Sequence, residues 1–116
     1  MSETHPLPEP LIVVLSTVPS AEVGQEIARE LVEARLAACV NMIPGLVSTY
    51  SWKGKIQRDD EALLVIKTRA AQFDALAAAL TATHPYDVPE IVALPVEACH
   101  GPYAAWLVEA TRSSSS

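Results

Sequence analysis

The order of hydrophobic periodicities in this 116-residue chain predicts an α+β fold, a ferredoxin-like split βαβ sandwich with an extended β-hairpin and a short C-terminal helix. Three observations carry that expectation. Strand-like and helical stretches follow one another in the order β-α-β-β-α-β. The second and third strands are long and meet at Lys53-Gly54, where Gly54 can take positive φ. The third strand is apolar on both parities, with Ala62, Leu64 and Ile66 on one and Leu63 and Val65 on the other. A sheet that is apolar on both faces must cover the second face as well as the first, so the pattern predicts self-association.

Each element has its own signal. Leu11 to Leu15 is an aliphatic run closed by Ser16-Thr17, and Pro19-Ser20 breaks it and supplies a helix N-cap. Val23, Ile27, Leu31 and Ala34 recur at helical spacing over Ala21 to Ala34, with Glu22 suited to the positive end of the helix dipole. Leu36 to Ser51 reads as strand two, bent or bulged at Pro44-Gly45 because proline removes a ladder donor. The chain returns through Ile56 into Ala62 to Ile66.

Thr68 is expected to cap a second helix over Ala70 to Ala82, where Phe73, Leu76, Ala77 and Leu80 share a face. His84-Pro85 ends it, Glu90 to Val96 forms strand four, and Gly101-Pro102 opens a short helix carrying Tyr103, Trp106, Leu107 and Ala110. In this plan strands one and three are central and both long helices lie on one sheet face. Residues 1–10 are expected to be a disordered N-terminal tail, 11–112 a single domain, and 113–116 a disordered serine tail.

Composition narrows the function classes. Eight Lys and Arg against fourteen Asp and Glu give a net charge of −6 without a basic run to neutralise phosphates, so nucleic acid is not an expected partner. No apolar stretch approaches the roughly 20 residues of a membrane span, so no membrane partner is expected. Residues 1–10 lack the features of a signal peptide, which predicts a cytoplasmic location. Cys39 and Cys99 are too few and too far apart for a disulfide framework and read as free thiols. With four glycines in total and no Gly-x-Ser-x-Gly or phosphate-cradling loop, an enzyme is not expected.

Several residues are candidates for a site. Cys39 reads either as a soft thiolate ligand or as a small buried hydrophobe, and shares a strand face with Asn41. His84 reads as a ligand or proton-transfer group exposed by the turn at Pro85, or as a histidine that merely ends a helix. Tyr50 and Trp52 share strand parity, as do Glu61 and Lys67; they line a cleft or fill an interface. Lys67, if buried, needs a partner, and Glu61 and Glu90 are the candidates. The Asp59-Asp60-Glu61 run reads as a solvated loop, and Cys99-His100 ranks below Cys39 as a ligand pair.

The ordered set Ala37-Ala38-Cys39-Val40-Asn41, Pro44, Ser48-Thr49-Tyr50-Ser51-Trp52-Lys53-Gly54-Lys55, Glu61, Lys67-Thr68 and His84-Pro85-Tyr86-Asp87-Val88-Pro89-Glu90, followed by Tyr103 to Leu107, resembles the CutA family of divalent-cation tolerance proteins. The likeness runs from Leu11 to about Ala110. It implies a homotrimer packed around a three-fold axis, a role in metal-ion tolerance, and copper as the ligand, without a tightly bound resident cofactor. Cys39 occupies the position of the family's proposed copper site, with His84 as a further ligand. Tyr50, Trp52, Glu61, Lys67, Tyr86 and Glu90 are expected to line a cleft between subunits. The alternative is a signalling trimer resembling the nitrogen-regulatory PII proteins, binding an anionic metabolite through Lys67 or Arg69. A scaffold whose trimer is its function is a third reading.

Overall fold

The computed structural model describes residues 7–112. Among them the chain forms β1 (Leu11–Val18), α1 (Ala21–Glu33), β2 (Cys39–Trp52), β3 (Lys55–Arg69), a 3-10 turn (Ala70–Gln72), α2 (Phe73–Thr83), β4 (Val92–Pro95) and α3 (Gly101–Ala110). The four strands make one antiparallel sheet in the order β2-β3-β1-β4, so β1 and β3 are central and the ferredoxin-like plan holds.

Local chemistry explains most boundaries. Ser20 caps α1 through its hydroxyl, which accepts the Val23 amide at 3.2 Å. Pro44-Gly45 forms the bulge that the sequence suggests: Ile43 faces Leu63 and Leu46 faces Glu61, so two residues of β2 oppose Ala62. The hairpin turns on Lys53 and Gly54, both left-handed at φ 51° and 76°. Two expectations fail. Thr68 does not cap a helix, because β3 runs on to Arg69 in register with Leu11, and the Thr68 hydroxyl donates instead to the Leu36 carbonyl at 2.7 Å. Strand four spans Val92–Pro95, shorter than Glu90 to Val96, because its ladder pairs only with Ile12 to Leu15 of β1; beyond it a single bond continues, from the Val96 amide to the Leu11 carbonyl at 3.0 Å.

The core has two parts, one on each sheet face. Val14, Val18, Ala62, Leu64 and Ile66 point toward α1 and α2, where they meet Ile27, Leu31, Leu76 and Leu80. On the other face α3 covers one end, packing Ala104, Leu107 and Val108 on Leu11 and Ala38. Arg69 fastens that end by donating to Thr111 and pairing with Glu9 at 3.1 Å. Leu7 packs on the same cluster, so the expected tail 1–10 is docked from Leu7 onward. Residues 1–6 and the expected serine tail 113–116 lie outside the described residues.

Between α3 and the hairpin the second face is bare. Val13, Leu15, Leu63 and Val65 occupy its middle, half-buried, and Ile43, Val92 and Leu94 flank them at 49%, 47% and 48% exposure. The doubly apolar third strand therefore has one face in a core and the other presented to solvent by the subunit.

Candidate functional site

Where β1 ends, the sheet face away from α1 and α2 meets the irregular segment 84–91, and the two enclose a cavity of about 680 Å³. The strand register places its walls. Tyr50 opposes Gln57 and Ser48 opposes Asp59, so the Tyr50 phenol reaches diagonally to Asp59 and donates to Oδ2 at 2.5 Å. Glu61, Thr17 and Trp52 line the same space, with Tyr86, Asp87, Val88 and Glu90 opposite.

His84 lies behind the far wall and holds Tyr86 in it. It ends α2 in an extended conformation (φ −73°, ψ 137°), as a residue before proline prefers. Its ring is 7% exposed. Nδ1 accepts the Tyr86 amide at 3.0 Å, so Nε2 carries the proton and donates to the Thr17 carbonyl at 2.8 Å. The Tyr86 ring lies 4.8 Å from the imidazole and donates its hydroxyl to Glu61 Oε2 at 2.8 Å. His84 is thus a pin between β1 and the segment that carries Tyr86.

The electrostatics follow from this packing. Burial, reinforced by the hydrogen bond to Glu61 and its negative charge, pushes the Tyr86 phenol up to about 12. The hydrogen bond to Asp59 raises Tyr50 as well. Asp59, Glu61, Asp87 and Glu90 give the cavity four carboxylates, and among the described residues its lining contains no Lys, Arg or His.

Six residues are expected to line a cleft between subunits; within the single subunit, five of them, Tyr50, Trp52, Glu61, Tyr86 and Glu90, line this cavity. Lys67 does not. It shares a strand parity with Glu61 but stands six residues further along β3, about 20 Å away, and donates to Asn41 Oδ1 at 2.6 Å. The sequence suggests Asp59 only as part of a solvated acidic loop, and Asp87 only as a member of the family-like set. Asp59 lies in β3, where period-two alternation sends it and Glu61 into the cleft and leaves Asp60 on the other face, exposed.

The two expected metal ligands are apart. Cys39 pairs with Lys67, which opposes Val13, whereas His84 binds Thr17; four residues along the strands and two strands across separate them, roughly 16 Å. No ion coordinated at about 2 Å from each donor bridges that span within one subunit. Cys39 instead stands at the α3 end. There burial raises the Tyr103 phenol, and Cys39 and Cys99 both add to the shift; Ala38, next to Cys39, and Cys99 pack in the same cluster under α3. Both cysteines are free and half-buried. Among the described residues no group of three or more His, Cys, Asp or Glu is arranged to hold a metal ion.

Comparison with known proteins matches residues 12–110 to the family described as CutA1 divalent ion tolerance protein. A divalent-cation tolerance protein CutA from Thermus thermophilus is 54% identical over 99 residues, covering 85% of this chain and 96% of that protein. The chloroplastic protein CutA 1 of rice is 49% identical over 105 residues; the match covers 90% of this chain but 59% of the rice protein. A crystal structure of CutA1 from rice superposes with a TM-score of 0.89 at 48% identity, covering 91% of this chain and 97% of that one.

Proposed function

The chain belongs to the CutA1 divalent ion tolerance family, and on that premise we propose that it is a cytoplasmic homotrimer that binds copper or a divalent cation in metal-ion tolerance, acting by binding and not by catalysis. The observation that carries the assembly is the bare apolar face around Leu63 and Val65, which a monomer would leave in water. Closed three-fold packing covers that face in every subunit at once. The printed name of the Thermus thermophilus relative supports the tolerance role. Family membership does not set the compartment, since the rice relative is named chloroplastic.

Copper as the ligand rests on donor chemistry. A Cu(I) ion prefers soft sulfur, and Cys39 and Cys99 are two free, half-buried thiols at the α3 end of the sheet. His84 is a poor third donor, because both ring nitrogens already hold backbone groups. Copper affinity, read by a colorimetric Cu(I) competitor, is expected to fall by roughly tenfold or more in Cys39→Ser, about 1.4 kcal/mol. Cys99→Ser is expected to follow and His84→Gln to change least, which reverses the order of the last two that the sequence suggests. Unaltered affinity in Cys39→Ser would overturn the copper site. No observation favours the PII-like alternative: Lys67 is engaged by Asn41, Arg69 by Glu9 and Thr111, and the cleft presents carboxylates to any anion.

A further inference from the structure

The cleft holds a carboxylate that the subunit leaves without a counter-ion. Glu61 is 8% exposed, its Oε2 accepts the neutral Tyr86 phenol, and it takes part in no ion pair among the described residues. A buried carboxylate supported by a single neutral donor gains from any cation that joins it. Asp59, Asp87 and Glu90 share the cavity, so the whole space attracts positive charge.

Size and lining decide which kind of cation fits. The four carboxylates are spread around about 680 Å³ and nowhere converge in a group arranged to hold a bare metal ion. That volume matches a small organic molecule. Three of its walls are the rings of Tyr50, Trp52 and Tyr86, and aromatic faces attract poorly hydrated organic ammonium groups. The Tyr50–Asp59 and Tyr86–Glu61 hydrogen bonds hold two of the rings against two of the carboxylates, so the subunit's own bonds organise the pocket.

We propose that this cleft binds a small organic cation, its ammonium nitrogen at Glu61 and its carbon skeleton against Tyr50, Trp52 and Tyr86. The site is separate from the copper reading, since Cys39 lies at the α3 end of the sheet. Glu61 is the charge anchor, and Trp52, exposed at the hairpin tip, closes over the skeleton.

Calorimetric titration of the full chain at fixed ionic strength, with 1,4-diaminobutane, its neutral counterpart 1,4-butanediol and magnesium chloride as probes, tests this. The diamine is expected to bind, and the diol and magnesium are not. Glu61→Gln should weaken diamine binding roughly ten- to a hundredfold, the loss of a charged hydrogen-bond acceptor, and Trp52→Leu roughly two- to fivefold. Should Glu61→Gln fail to fold, Glu90→Gln at the exposed rim takes its place and must weaken binding about twofold. The proposal is overturned if the diol binds as well as the diamine, if magnesium binds more tightly and is lost in the Glu61 variant, or if the diamine gives no heat at all, which would mean that a second copy of the chain fills the cleft.

Discussion

Replacing Leu63 by lysine puts the assembly to its most direct test. Leu63 lies mid-sheet, opposite Thr17 on one side and Ile43 on the other, in the apolar patch that neither α3 nor the helical layer covers. Burying a leucine side chain stabilises by about 1.5–3 kcal/mol, of which roughly half is already realised within the subunit because Leu63 is half-buried there. An ammonium forced into the same dry contact adds a desolvation cost of several kcal/mol. Taking ~3 kcal/mol per subunit, three copies lose ~9 kcal/mol of association free energy, a fall of more than a millionfold in the trimerisation constant. At micromolar concentration Leu63→Lys should then elute and scatter light as a 12.4 kDa subunit, while the parent shows three times that mass. Val32→Lys, on the solvent side of α1, is the control and should leave the mass unaltered. A Leu63→Lys protein with native circular dichroism and undiminished mass would show that this face is not the interface.

Two further outcomes follow from single side chains. Gly54→Val should cost about 1–2 kcal/mol, read by denaturant unfolding, because valine resists the left-handed conformation and a Cβ there meets no atom within 4 Å to compensate; an unchanged midpoint would show that the turn rearranges freely. The Tyr86 phenol ionises near 12 in the folded protein against an ordinary value of about 10. Its contribution to stability is therefore complete below about pH 10 and lost as pH rises toward 12, and solvent screening keeps the loss below the full linkage value. Absorbance titration should show a late tyrosine step that disappears in Tyr86→Phe and moves to lower pH in Glu61→Gln; a step that stays in place in Glu61→Gln would remove the carboxylate as a cause.

Much of the fold was legible because its signals are local. The continuous apolar run Ala62 to Ile66, the helical spacing of Val23, Ile27 and Leu31, the Ser20 cap and the Lys53-Gly54 turn each act within a few residues, and the structure realises all of them. The pairing of β1 with β3 also follows from topology rules that leave few alternatives. Thr68 misled because a hydroxyl able to cap a helix serves equally well inside a strand, and its choice depends on Leu36, 32 residues away.

The site was legible as a set of residue types and not as a place. Tyr50, Trp52 and Glu61 suggest a cleft by their chemistry, and Tyr86 and Glu90 by the family likeness, yet parity alone could not separate Glu61 from Lys67, because alternation fixes a face and says nothing of position along it. The sequence by itself determined the order of the elements, the bulge, the turn and the existence of an apolar second face. Tertiary structure alone decided that His84 spends both ring nitrogens on backbone groups, that Ala38, next to Cys39, packs in the same cluster under α3 as Cys99, and that Glu61 is buried without an ion pair among the described residues. Those three facts depend on contacts between residues far apart in the chain, and no local pattern encodes a distance across a sheet.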